Sequence, residues 1–394
     1  MKKLLFFLIV IFISQNSLAQ PLPKAKPEEL GFSSKRLSRI DVVVKKAIDE
    51  KKIPGAVVLV ARKGKVVYKK AFGYASLEPE KKILTDDMIF DLASVSKPIG
   101  TATAVMMLVE EGKLRLTDEV RKYIPDFAPY IDKDGKMEHA KIYHLLTHTS
   151  GLPPYTNADT VKMLYGELAG DSLMNYIARL SKNNPPGAKF DYSCLGFITL
   201  ANIVKIVSGK SLKDFDKEYI FDPLKLKHIG YVPDEEMKKK CVPTEKTDGV
   251  ILCGVVHDPL ARLQHGISGN AGLFSNVDDL AVMVQMYLNG GEYNGVRILS
   301  PLTVKLMTTI YEPVKKSGRG LGWDVASDYM GQRGDIFPLG SYGHTGFTGT
   351  SIIVDPFSQT QLIILSNRVH PDGKGEIMQL RKDVANIVAS SLVK

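Results

Sequence analysis

The strand-forming segments of this chain lie at its two ends. Near the N-terminus, β-rich runs at 55–62 and 65–72 flank Lys63-Gly64, a pair typical of a tight hairpin turn. Near the C-terminus, runs at 350–355 and 361–366 predict a second hairpin. Because the residues between the hairpins show a different periodicity, the two ends are expected to build one antiparallel sheet together.

The long middle of the chain has mostly helical periodicity. Helical patterns occupy residues 96–111, 142–147, 172–180, 195–207 and 277–289, and two more at 34–50 and 377–388 bracket the strands. We therefore predict an α+β fold, in which an antiparallel sheet is flanked by N- and C-terminal helices and a mainly helical region is inserted. A cleft is expected at the seam between sheet and helices.

The predicted domain organisation is a single domain over residues 20–394. Its α/β part covers roughly 30–93 and 270–394, and its helical part roughly 94–269. With 394 residues, 44% hydrophobic and 24% charged, the chain has enough apolar side chains for a large core and does not resemble a disordered chain.

The first 19 residues have the pattern of a secretory signal peptide. Lys2 and Lys3 precede an apolar run at 4–13, and Ser17-Leu18-Ala19 has small residues where a signal peptidase would cleave before Gln20. The apolar run is short for a membrane span, which needs about 20 residues. We expect a periplasmic or secreted protein with no stable membrane insertion after cleavage.

The net charge of +9 is spread along the chain in scattered pairs and short runs. Without a basic stripe or a nucleic-acid-binding module, no nucleic-acid partner is expected. The three cysteines, at 194, 241 and 253, match no zinc-binding spacing. Their odd count leaves a disulfide between Cys241 and Cys253 open.

The tetrad Ser94-Val95-Ser96-Lys97 opens the helical pattern that follows residue 93. A lysine three residues after a serine returns to the same helix face, so its amine reaches the hydroxyl. Ser94 is then a candidate nucleophile, with helix N-terminal amides available to an oxyanion. Because the same spacing recurs at Ser391 and Lys394, an ordinary helix start stays open for this motif alone.

Two further stretches supply complementary groups. Tyr192 follows a proline- and glycine-rich turn, where a phenol near a lysine is able to relay a proton. The stretch His344-Thr345-Gly346-Phe347 precedes the last hairpin, and an amide after the glycine is a candidate oxyanion donor. A packed loop tyrosine and a crowded glycine-rich strand are the respective structural alternatives.

Together these stretches resemble the serine β-lactamase and penicillin-binding-protein superfamily. The likeness is to its class C β-lactamase-like branch, with D-aminopeptidases, low-molecular-mass DD-carboxypeptidases and β-lactamase-like esterases. The S-x-x-K motif matches 94–97, Y-x-N matches 192–194 in two of three places by type, and K/H-T-G matches 344–346. Similar stretches at 145–152, 271–275 and 365–371 follow in the family's order.

The resemblance implies a role for each matching residue. Ser94 would be acylated, Lys97 would help to activate it, and Tyr192 would act as general base and then acid. The amides of Ser94 and Phe347 would hold the oxyanion. No metal or other cofactor is then expected.

The sequence departs from the family pattern at two substrate-binding positions. Cys194 replaces an asparagine whose amide grips the substrate, and a thiol is a weak donor and acceptor. His344 stands where many penicillin-recognising members have lysine, and a neutral imidazole attracts a carboxylate less strongly. With Thr345, Gly346 and Phe347 they complete the predicted substrate-binding set.

We predict an exported serine hydrolase that acts through an acyl-enzyme on ester, amide or D-amino-acid peptide substrates. A DD-carboxypeptidase or β-lactamase acting on stem peptides or β-lactams is the alternative, and a penicillin- or peptide-binding sensor without turnover is the rival of another class.

The pair His144 and His148 lacks the glutamate of a zinc protease and is assigned a structural role. The stretch 318–323 has the wrong spacing for a dinucleotide loop.

Overall fold

The computed structural model describes residues 21–394. The predicted signal peptide at 1–19 lies outside the described residues, and both it and the predicted domain boundaries remain predictions. Within the described part, the fold is the predicted α+β arrangement, with an antiparallel sheet, helices from both ends on one face and helices of the middle region on the other.

The central sheet of the described chain has six strands and is built from both ends. Its order is Tyr342–Thr345, Ser351–Asp355, Thr360–Ser366, Gly55–Arg62, Lys65–Ser76 and Lys82–Ile83, with every neighbouring pair antiparallel. The join between the two termini runs from Ala56 opposite Ser366 to Arg62 opposite Thr360. The prediction of a sheet shared by the two ends is confirmed.

The first hairpin turns where the sequence predicts. Lys63 has φ 50° and Gly64 has φ 74°, and two left-handed residues are what a type I′ turn requires. The second strand extends to Ser76, four residues beyond the predicted end. One edge of the sheet is the strand Tyr342–Thr345, called the outer strand below. It has only one neighbouring strand in the sheet.

The terminal helices cover one face of the sheet. They are Ser34–Leu37, Arg39–Asp49 and Met378–Ser391. Ile40, Val44 and Val384 pack there against alternate sheet residues such as Val58. The single helix predicted over 34–50 is broken at Ser38, whose hydroxyl donates to the Lys35 carbonyl oxygen and competes with the helical hydrogen bonds.

The middle of the chain forms the helical part and several short strands. Its α-helices are Thr103–Glu110, Ile142–Leu146, Ala158–Tyr165, Ala169–Arg179, Cys194–Ser208, Leu212–Asp216, Glu235–Lys240, Pro259–Leu263, Val277–Leu288 and Pro301–Thr308. A small antiparallel sheet joins Phe90–Asp91, Leu273–Ser275 and Ile229–Tyr231 beside the seam. Two-residue strand pairs are Tyr130–Ile131 with Met137–Glu138, Lys246–Thr247 with Val250–Ile251, and Glu292–Tyr293 with Val296–Arg297.

In residues 21–394, no single helix has both the length and the hydropathy of a membrane span. The helix Cys194–Ser208 and the helical segment Leu212–Phe221 meet that standard only as a pair, and they are bent by 72° relative to each other.

Candidate active site

Ser94 lies just after a short strand, at the start of a helical segment. The chain leaves Phe90–Asp91 through Ala93, whose φ of 46° is in the left-handed region. The buried Asp91 carboxylate accepts hydrogen bonds from the Ala93 amide at 2.8 Å and the His257 amide at 2.7 Å. A left-handed alanine costs about 1 kcal/mol and persists only where its surroundings hold it. Asp91 therefore fixes the turn that presents Ser94.

The helix after Ser94 begins less regularly than the pattern over 96–111 predicts. A 3-10 turn at Ala93–Val95 is followed by a π-helical turn at Lys97–Ala102, and the α-helix begins only at Thr103. Pro98 contributes to this, because it has no N–H to donate to the Ser94 carbonyl oxygen four residues earlier. π-Helical turns are frequent at functional sites.

Lys97 is fully buried, and its amine lies among several polar groups. Nζ donates to Ser94 Oγ and to the Asn270 carbonyl oxygen, both at 2.8 Å, and lies 3.5 Å from Cys194 Sγ. Burial lowers the pKa of Lys97, and negative charge on Cys194 or Tyr192, once either group is ionised, raises it above the usual lysine value. The proton of the amine that contacts Ser94 is therefore coupled to the protons of these two groups.

Tyr192 reaches the same point from the loop before the helix Cys194–Ser208. Its phenol interacts with the Ser94 and Lys97 side chains, and Lys97 Nζ lies 5.1 Å from the ring centre. Burial raises the Tyr192 pKa and the Lys97 charge only partly offsets the rise, so the resting phenol is neutral. A hydroxyl, an amine and a phenol thus meet, as the sequence predicts for Ser94, Lys97 and Tyr192.

His148 supports Tyr192, and no pattern in the sequence predicts this contact. Its ring is stacked on that of Tyr192, with centroids 4.3 Å apart, and its Nδ1 accepts a hydrogen bond from the Ser193 amide at 3.0 Å. His144 instead accepts from the Lys141 amide at 2.9 Å and caps a helix, the structural role predicted for it. No local signal marks the contact of His148, because its partner lies 44 positions along the chain.

Hydrogen bonds hold the turn after the outer strand, at residues 346–350, against the segment that carries Ser94. Thr350 Oγ1 donates to the Leu92 carbonyl oxygen at 2.8 Å. The buried Arg381 donates to the carbonyl oxygens of Gly346 at 2.9 Å and Thr350 at 2.7 Å. A Cβ at Gly346 would lie 2.1 Å from Thr350 Oγ1, so this position requires glycine. Phe347 is on this turn, one residue after the glycine.

His344 is buried on the outer strand, next to Thr345. Its Nδ1 donates to the Thr345 carbonyl oxygen at 2.9 Å, which leaves Nε2 as an acceptor with no hydrogen-bond partner among the described residues. Burial, reinforced by the charges of Arg319 and Lys97, lowers the His344 pKa well below its ordinary value. The imidazole is neutral, as expected, and offers a carboxylate no positive charge.

All three cysteines are free thiols in the structure. Burial raises the pKa of Cys194, whose Sγ interacts with Lys97 and the Asn270 side chain. Cys253 Sγ donates to the Cys241 carbonyl oxygen at 3.3 Å. Cys194 is therefore a neutral neighbour of the amine.

A cavity of about 380 Å³ opens at the predicted seam. The predicted residues in its wall are Ser94, Tyr192, His344, Thr345, Gly346 and Phe347. Lys97 and Cys194 are not part of the wall and lie behind Ser94 and Tyr192. Over residues 21–394, no three His, Cys, Asp or Glu side chains are grouped to hold a metal ion.

The cavity wall also contains three arginines that sequence analysis missed. Arg319 and Arg381 are buried, and Arg368 lies over the Phe347 ring at 4.4 Å. Arg319 belongs to the stretch 318–323, whose spacing does not match a dinucleotide loop. The sequence feature that marks this arginine is its position among three glycines, shortly before the only tryptophan of the chain.

Comparison with known proteins identifies relatives of this chain. The Beta-lactamase family model matches residues 40–386. A protein of Escherichia coli (strain K12) named "Putative D-alanyl-D-alanine carboxypeptidase" is 33% identical, and the alignment covers 94% of this chain and 92% of that protein. The N-acetylmuramyl-L-alanine amidase of Bacillus subtilis (strain 168) is 32% identical over 87% of this chain and 83% of its own.

Among solved structures, EstCE1, described as a hydrolase with promiscuous acyltransferase activity, superimposes with a TM-score of 0.73. It is 27% identical, with 90% of this chain and 99% of that chain covered. The family match spans most of the described residues and includes every residue that meets in the cavity at Ser94. The chain therefore belongs to the beta-lactamase family of serine hydrolases.

Proposed function

We propose that this protein hydrolyses amide and ester bonds through an acyl-enzyme on Ser94. The observation that carries the proposal is the contact of Ser94 Oγ with Lys97 Nζ at 2.8 Å, beside the Tyr192 side chain. A serine hydroxyl is a weak nucleophile until a neighbouring base accepts its proton. Two proton carriers beside one serine are suited to that task.

In the proposed reaction, Ser94 Oγ attacks the substrate carbonyl carbon while its proton passes to the Lys97–Tyr192 pair. The amides of Ser94 and Phe347 hold the oxyanion, as the family resemblance implies. The pair then returns the proton to the departing amine or alcohol as its bond to the carbonyl carbon breaks. Water attacks the resulting ester of Ser94, which releases the acid and restores the serine.

For the substrate we favour a cell-wall peptide. The names of two relatives at 33% and 32% identity, a D-alanyl-D-alanine carboxypeptidase and an N-acetylmuramyl-L-alanine amidase, both denote cleavage of an amide bond in such material. Export through the predicted signal peptide is part of the proposal, since it would bring the enzyme to that substrate. A simple ester hydrolase is the second candidate, favoured by the likeness to EstCE1.

Trapping and turnover on the unaltered protein test this proposal. A fluorophosphonate should add its mass to the tryptic peptide that contains Ser94, and a panel of p-nitrophenyl esters, D-alanyl-D-alanine peptides, muropeptides and nitrocefin should show turnover. Release of D-alanine or cleavage of muropeptides would support the wall substrate, while turnover of esters alone would favour the second candidate. Labelling of Ser94 with no turnover of any substrate would instead support the sensor.

The proposed base also predicts an alkaline pH profile. Burial raises the pKa of Tyr192, and the charge of Lys97 only partly offsets the rise. The phenol therefore holds its proton at neutral pH, and that proton must leave before Tyr192 accepts the one from Ser94. We expect kcat/KM for a non-titrating ester to rise about tenfold per pH unit between about pH 6 and about pH 9. A flat profile, after subtraction of spontaneous hydrolysis, would show that the base is already free.

A further inference from the structure

The ring of Tyr192 is stacked between an interior ring and a surface ring. His148 stacks on it with the ring centroids 4.3 Å apart, and Tyr329 stacks on it at 5.2 Å with an interplanar angle of 18°. His148 is 1% exposed, whereas Tyr329 is 54% exposed and lines the cavity. His148 therefore covers Tyr192 from the core, and Tyr329 covers it from the cavity side.

The segment that carries Tyr329, residues 327–335, is called the strap below and is anchored at both ends. At its first residue, the serine hydroxyl donates to the Asp324 carboxylate at 2.8 Å, and the backbone of Asp324 is bonded to the outer strand. At its last residue, the backbone amide donates to Asn386 Oδ1 at 2.7 Å, and Asn386 lies on the C-terminal helix. The strap therefore joins the sheet to that helix, and the fold sets the position of Tyr329.

A third ring holds the strap to the loop that carries Tyr192. Phe190, two residues before Tyr192, packs edge-on against Tyr329 with the centroids 5.7 Å apart, and against His148 at 6.2 Å. Edge-to-face and offset-stacked arrangements are the two that aromatic pairs prefer. The Tyr329 ring therefore contacts the loop at two places, which restricts how that ring and the Tyr192 ring turn.

A ring at this position limits the access of water to the Tyr192 phenol. The titratable side chains around the Tyr192 ring are Lys97, His148, Cys194, Tyr329 and His344. Burial affects the pKa of Tyr192 more than any one of the neighbouring charges. Because Tyr329 covers the cavity side, its ring contributes to that burial.

We propose that Tyr329 is a positioning residue for Tyr192: its ring holds the phenol beside Ser94 and keeps water away from the cavity side of that phenol. The inference rests on the proposed function, in which Tyr192 carries a proton for Ser94. Tyr329 acts through Tyr192 and takes no proton itself. Its contribution comes from the aromatic ring and not from its hydroxyl.

Two substitutions of Tyr329 separate the ring from the hydroxyl. Tyr329→Leu keeps an apolar side chain but removes the stacked ring, and it should lower the rate constant for acylation by a p-nitrophenyl ester about 3- to 10-fold, the size of an aromatic pair. The dissociation constant of the ester should not change. Tyr329→Phe should restore the rate, because it keeps the ring. Pre-steady-state release of p-nitrophenol measures both constants.

The pH profile is the second measurement. Tyr329→Leu opens the cavity side of Tyr192 to water and relieves part of the burial that raises its pKa. The alkaline rise of kcat/KM should therefore move to lower pH, by about 0.5–1 unit. Tyr329→Phe should leave the rise where it is. Tyr219→Leu, an exposed tyrosine of the segment Leu212–Phe221, is the control and should change neither the rate nor the profile.

A double variant distinguishes positioning from general stability. In the Tyr192→Phe background there is no phenol to position, so adding Tyr329→Leu should change the acylation rate by less than about twofold. Rates are expressed per active site titrated with fluorophosphonate, so the folded fraction does not enter. A loss as large as in the unaltered background would show that Tyr329 acts independently of Tyr192 and would overturn the inference.

The remaining outcomes separate the inference from the function on which it rests. An unchanged acylation rate and pH profile in Tyr329→Leu, or a change in the dissociation constant alone, would reject the positioning role while leaving the hydrolase intact. If the unaltered protein turns over no substrate above the Ser94→Ala background, the proposed function fails, and the inference with it.

Discussion

The Ser94→Ala variant is expected to lose turnover of every substrate by about 10⁴-fold or more, together with all covalent labelling by fluorophosphonate. Without the hydroxyl no acyl-enzyme forms, and only binding and the oxyanion donors are left to act on a water molecule. The fold should be retained, because the Lys97 ammonium keeps the Asn270 carbonyl oxygen at 2.8 Å as a partner. Steady-state kinetics and intact-protein mass after labelling measure the two effects.

Ser38→Ala is the matched control for this variant. Ser38 is an exposed serine between the first two helices, on the far face of the sheet, and its removal should leave labelling unchanged. Labelling of Ser94→Ala at the original rate would place the nucleophile elsewhere and reject the acyl-enzyme on Ser94.

Tyr192→Phe is expected to lower the acylation rate by about 10²-fold or more. The substitution keeps the aromatic ring and its stacking on His148 and Tyr329, and removes only the hydroxyl that reaches Ser94 and Lys97. The effect should therefore appear in kcat/KM and not in the thermal unfolding temperature. Pre-steady-state release of p-nitrophenol from an ester measures acylation directly.

Tyr74→Phe, on the second strand of the sheet, is the control for removal of a phenol. If Tyr192→Phe acylates at nearly the original rate, Lys97 alone is the proton acceptor and Tyr192 is a packing residue. In that case the alkaline rise of kcat/KM should persist in the variant, whereas a proton carried by Tyr192 requires the profile to change.

The sheet was predictable because its signals are local. The β-rich runs on either side of Lys63-Gly64 pair with each other across a two-residue turn, and their composition does not depend on the rest of the chain. The closing helix Met378–Ser391 follows in the same way from its apolar spacing. The break at Ser38 was missed, because a hydroxyl that bonds back to the helix leaves the apolar spacing unchanged.

Part of the site was predictable for a similar reason. Ser94 and Lys97 are three residues apart, so helical geometry alone brings the amine to the hydroxyl. Tyr192 and the stretch 344–347 were placed beside them by resemblance to a family, and no local pattern joins them. The π-helical turn after Lys97 was missed, although Pro98 was visible.

The sequence by itself determined the two hairpins at the ends of the chain and the helical turn that a serine and a lysine share, since each follows from spacing within a few residues. Only the tertiary structure decided that the two hairpins join in one sheet, that His148 stacks on Tyr192, and that Arg381 holds the turn at Gly346. Such contacts join residues tens of positions apart. They exist only when packing has brought distant strands and loops together, so no local pattern in the chain encodes them.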